Sequence, residues 1–167
     1  MSDNKKIVVV TAHPDDESLW VGGILNSLSK MPNIDISLIC ITGASHPFRK
    51  QELASVMSQT SITSWTVMEL DIPVKGGIPL DQPVVHYLKG LDTLQIKEAD
   101  IDLIITHSPY GDEHEHMQHT QLFHELYSRC NDAGVPFSFF SFLPAPYYGK
   151  ISILPHGKRG YGLHMIG

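Results

Sequence analysis

Cysteine is nearly absent from this chain: its two residues, Cys40 and Cys130, stand far apart and form no metal-binding pair. Cys40 lies in the apolar run SLICIT, so a buried, reduced thiol and a fold without disulfides are expected. Basic charge is also scarce. Twelve Lys and Arg stand against eighteen Asp and Glu, a formal net charge of −6. That balance argues against broad nucleic-acid binding, which needs a basic face opposite phosphate. The run IVVV is far short of the ~20 apolar residues of a membrane span, and the opening MSDNKK lacks the apolar stretch of a secretory leader. These absences predict a cytoplasmic protein with no membrane span. Repeats and low-complexity segments are missing too. What remains, 42% hydrophobic and 18% charged residues over 167 positions, is the composition of one ordinary globular domain, residues 1–167.

Apolar runs of strand length alternate with helix-like segments. Strands are predicted over 6–11 (KIVVVT), 36–41 (ISLICI), 64–70 (SWTVMEL), 101–106 (IDLIIT) and 137–143 (FSFFSFL). The first two are almost unbroken, as in strands covered on both faces. Helices are predicted over 15–30, 47–59, 83–97 and 117–132. This alternation implies a three-layer α/β/α arrangement with a mainly parallel sheet, whose functional loops gather at the carboxyl ends of the strands. About 141–167 changes character: it is rich in Gly, Pro and Tyr, has no clean period apart from KISIL, and is expected to be an irregular C-terminal extension. Tyr147, Tyr148 and Tyr161 there could stack on a sugar ring.

Directly behind the first strand stands AHPDDESLWVGG, residues 12 to 23. A strand-to-helix junction accounts for part of it. Proline suits the first helical position and holds the preceding residue extended, and acids complement the positive end of a helix. Three features go beyond a junction. His13 ends a strand, Asp15 and Asp16 repel one another unless a cation or proton lies near, and Gly22-Gly23 interrupts a helix pattern as if a neighbour packed close.

The second constellation is THSPYGDEHEHMQH, behind the fourth strand. In a helix starting near His116, His116 and His119 share a face, a spacing that suits two ligands, or a ligand and a catalytic group. His114 and His124 fit a rim. A ligand pair using His114 and His116 is the alternative register. Histidine and carboxylate at one sheet edge suit a single N/O-bound metal, zinc first, with Fe2+ or another divalent ion accepted by the same donors. With one position open, the metal would acidify a bound water, and a spare carboxylate would be the general base. Chemistry alone does not divide these two roles between Asp15 and Asp16.

AHPDDESLWVGG resembles the signature of the LmbE-like, or PIG-L, zinc-dependent de-N-acetylases, which remove acetyl from N-acetylglucosamine units. HMQH, after THSPYGDEHE, is similar to the family's His-x-x-His segment, and Arg49 with Glu52 to an Arg and Glu at the start of its second helix. The resemblance covers about residues 5 to 125 and implies a Rossmann-like fold. It implies His13, Asp16 and His119 as metal ligands, Asp15 as general base, His116 as oxyanion stabiliser and Arg49 as a substrate contact. One departure stands out. The family's usual His-Pro-Asp-His reads His-Met-Gln-His, so the acid that supports the histidine pair is replaced by Gln118. The partner expected is a small-molecule amino sugar, and either a monomer or a homo-oligomer fits the sequence. The same donors would serve a hydrolase of another small amide or ester, and two histidines with a carboxylate also describe non-haem iron oxygenases. A sugar-binding protein on a retained hydrolase scaffold is the non-enzymatic alternative.

Overall fold

The computed structural model describes residues 4–70, 80–111, 116–141 and 150–153. Its strands are β1 (Lys5–Thr11), β2 (Ile34–Thr42), β3 (Ser64–Leu70), β4 (Leu103–Thr106), β5 (Phe137–Ser141) and β6 (Lys150–Ile153). Among the described residues five α-helices connect them: α1 (Asp16–Leu19), α2 (Gly22–Leu28), α3 (Pro47–Met57), α4 (Pro83–Thr93) and α5 (Met117–Ala133). The sheet order is β3-β2-β1-β4-β5-β6. The first five are mutually parallel and β6 runs antiparallel to β5. The sheet is thus mainly parallel, as the alternation of runs predicts.

Side chains of successive strand residues feed opposite cores. Val8, Val10, Ile39, Ile41, Ile104 and Phe137 pack on one face beneath Tyr87 and Leu91 of α4 and Leu122 and Leu126 of α5. Val9, Leu38, Cys40, Ile105 and Phe140 pack on the other, with Leu25 of α2 and Leu53 and Met57 of α3. Both faces are therefore covered, which is why β1 and β2 read as nearly continuous apolar runs. Cys40 and Cys130 are both buried and free. The α4 layer sits very close to the sheet at Gly90, where a Cβ would lie 2.6 Å from Ile39 Cγ2.

Two expectations need correction. The helix expected over 15–30 is broken into α1 and α2 around Trp20–Val21. Nor do Gly22 and Gly23 mark close packing: a Cβ at Gly22 would meet Glu17 O at 3.5 Å, an ordinary contact, and one at Gly23 nothing within 4 Å. The pair instead weakens the helix where the chain restarts it. Within the extension expected to be irregular, Lys150–Ile153 forms β6, on the KISIL stretch whose alternation suits a strand. Tyr147, Tyr148 and Tyr161 lie outside the described residues. No helix among the described residues is long and apolar enough to cross a membrane.

Candidate metal centre

β1 lies between β2 and β4, so the connections leaving its carboxyl end and that of β4 diverge on opposite sides of the sheet. Such a switch point leaves a crevice beyond the strand ends. Hydroxyls hold its floor together: Thr42 Oγ1 donates to the Ala12 carbonyl at 2.7 Å, and Thr106 Oγ1 donates to the Val10 carbonyl at 2.7 Å. Next to them the chain turns at Gly43, with φ +95°, and passes tightly against Pro14.

Into this crevice the structure brings His13 and Asp16 from the β1–α1 connection and His119 from the first turn of α5. His13 Nδ1 lies 3.1 Å from His119 Nε2 and 3.3 Å from Asp16 Oδ2, and His119 Nε2 lies 3.4 Å from the same oxygen. Three lone-pair atoms so close repel unless a cation or protons lie among them. Their spacing also has a size. For ligand bonds of 2.0–2.1 Å, a tetrahedral zinc site has donor–donor edges of about 3.3–3.4 Å. The three atoms therefore form one face of such a tetrahedron, and these residues fit a divalent metal ion.

Asp16 is only 3% exposed. Burial alone would raise its carboxyl, but the imidazoles of His107, His119 and His13 outweigh that effect and hold it well below the ordinary carboxylate range. It is ionised, the form that metal binding requires of a carboxylate. The His13 backbone N–H donates to Asp16 Oδ2 at 2.7 Å, closing the turn that sets both residues at the site.

His107 was not singled out by its sequence context, yet it is fully buried at the centre. Its ring stacks on His119 with centroids 3.8 Å apart, and its Nε2 lies 3.2 Å from Asp16 Oδ2. Asp16, His107 and His119 together make a buried trio of metal-ligand type, and His13, His116 and His119 a second, less buried one. However, His107 Nε2 accepts the Ala12 backbone N–H at 3.0 Å. The same ring thus also braces the ends of β1 and β4. The signal was its position: it follows β4 immediately, just as Ala12-His13 follows β1.

His116 caps α5 and stacks on His119, centroids 4.3 Å apart. Burial, helped by His119 and His13, pushes it down to about 4, so at neutral pH it is an uncharged imidazole. Asp15 lies on the cavity wall with its side chain 42% exposed, and Arg49 Nη1 donates to its Oδ2 at 2.6 Å. Arg49, expected to face the substrate, thus also holds Asp15. Gln118, placed by sequence beside the histidine pair, instead reaches His13, with Oε1 2.6 Å from Nε2. His124 is on the exposed face, as expected of a rim residue, and His114 lies outside the described residues. The cavity over these groups holds about 430 Å³ and is walled by Pro14, Leu19 and Trp20 on one side and Ser45, His46 and Arg49 on another.

The fold and site together define a mainly parallel α/β protein with a histidine–carboxylate cluster of metal-ligand type at its switch point. Comparison with known proteins makes this specific. The family model for PIG-L, GlcNAc-PI de-N-acetylase, matches residues 8–129, and the chain belongs to that family. Among solved structures the chain is similar to GalB, the 4-carboxy-2-hydroxymuconate hydratase of Pseudomonas putida KT2440. The TM-score is 0.59 at 14% identity, covering 81% of this chain and 65% of that one, which establishes a shared fold. The chain thus spans less than two thirds of that structure's length. No curated protein sequence matches significantly.

Proposed function

We propose that this protein is a zinc-dependent N-deacetylase acting on an amino sugar of N-acetylglucosamine type. The observation that carries the reading is the spacing of His13 Nδ1, Asp16 Oδ2 and His119 Nε2 at 3.1–3.4 Å, beside a carboxylate that is free of that cluster. His13, Asp16 and His119 would hold the metal. When bound, zinc polarises an acyl carbonyl and makes water acidic near neutral pH.

The protein's own groups supply the rest. Asp15 Oδ1 or Oδ2 takes the water's proton as the C–O bond forms, then returns it to the amine nitrogen as the C–N bond breaks. Arg49 orients Asp15 from the cavity wall, where it also meets the substrate. His116, neutral and packed on His119, donates an N–H to the oxygen that gains charge in the transition state. A cavity of about 430 Å³ lies in the range of roughly 300–1,000 Å³ for small-molecule sites and suits one sugar unit with a modest substituent.

The test is acetate release by the zinc-loaded protein from a panel of N-acetylglucosamine derivatives. Asp15→Asn should keep its metal and lose ~10²–10⁴-fold in kcat, the usual contribution of a general base. If no derivative releases acetate and Asp15→Asn equals the parent, the deacetylase reading fails and the sugar-binding alternative gains.

A further inference from the structure

Gln118 stands where an acid usually precedes the second histidine, and its side chain crosses the site to a different histidine. Its Oε1 lies 2.6 Å from His13 Nε2, and the residue is only 2% exposed, so water competes poorly for the amide oxygen. An amide oxygen can only accept, and a contact this short requires that the facing ring nitrogen carry the proton. A neutral His13 protonated on Nε2 has its lone pair on Nδ1. That is the atom 3.1 Å from His119 Nε2 and 3.3 Å from Asp16 Oδ2.

We propose that Gln118 is a positioning residue for the metal, fixing His13 in the tautomer and orientation that present Nδ1 to it. The amide does so without charge. A carboxylate in that role raises the basicity of the ligand imidazole, whereas an amide orients it and leaves its basicity low. The His-Met-Gln-His departure therefore keeps the geometry of the centre while leaving its metal less tightly held and more strongly electron-withdrawing. The inference rests on the reading of His13 as a ligand.

The experiment is Co2+ titration of the full chain against a chromophoric chelator, with the visible Co2+ bands as a second readout. Gln118→Leu, similar in size but without an acceptor, should bind Co2+ ~10–100-fold more weakly with shifted bands. Circular dichroism and thermal unfolding of the metal-free protein check that it folds. Gln118→Glu should restore the acceptor and bind more tightly than the parent at pH 8. If Gln118→Leu does not fold, the glutamate variant decides alone. A folded variant of either kind with the parent's affinity and spectrum overturns the proposal. A parent protein that binds no Co2+ overturns both it and the metal reading beneath it.

Discussion

Gly43 is not itself a candidate ligand, yet replacing it with alanine should disable the site. Two costs combine. Its φ of +95° lies where an L side chain is disfavoured by about 1–2 kcal/mol. The new Cβ would also stand 2.6 Å from Pro14 Cγ and 3.0 Å from Pro14 Cδ, and a ring cannot swing away as a flexible chain end does. Overpacking of this kind costs about 1–3 kcal/mol, so the sum is about 2–5 kcal/mol. Relief needs Pro14 to retreat by about 1 Å, carrying His13 and Asp15 with it, and a 1 Å misplacement of catalytic groups costs ~100-fold in rate. Denaturant unfolding of metal-free protein reads the stability, and Co2+ affinity with acetate release reads the site. In a Pro14→Ala background the clash is gone, and Gly43→Ala should cost only the ~1–2 kcal/mol of backbone strain. A single variant within about 0.5 kcal/mol of the parent, the range of neutral surface changes, would refute the reasoning. So would an equal penalty in both backgrounds.

Gly90→Ala makes a contrast, because its Cβ would lie 2.6 Å from Ile39 Cγ2 in the opposite core, away from the cavity. It should lose about 1–3 kcal/mol in the same unfolding assay while Co2+ affinity stays at the parent's value. The two thiols should be inert in the native protein at pH 8. Both are buried, and burial raises the pKa of each, Cys130 to about 12 and Cys40 further still. A thiol reagent should therefore label two groups per chain only after denaturation, and rapid native labelling would show that one of them is reachable.

Strands covered on both faces were legible because burial demands unbroken apolar runs, and the five parallel strands fall on KIVVVT, ISLICI, SWTVMEL, IDLIIT and FSFFSFL. The clustering of site side chains was legible because they stand close in sequence, His13 with Asp15 and Asp16 and His116 with His119, while the division of roles among them came from the family resemblance. Elements set by tertiary contact were not. His107 is a lone histidine in sequence, and only the pairing of β1 with β4 places it against Ala12 N–H and Asp16. The contact of Gln118 with His13 likewise joins segments 105 positions apart, which no spacing rule contains. The split of the first helix was a misreading of Gly22-Gly23: the cost of glycine was recognised, but a break in the helix, not a close neighbour, accounts for it.

The placement of β1 at the middle of the sheet has a kinetic consequence. His13 and His119 are 106 positions apart, and they meet only after β1 has paired with β2 on one side and β4 on the other, with α5 docked above. Closing so long a loop is late and slow compared with forming any one helix or its nearest strand. With His13, Asp16 and His119 as the proposed donors, tight chelation requires the nearly complete topology, and a nascent chain released only through β4 has two of the three. Metal uptake during refolding should report assembly of the whole sheet, not of its first half.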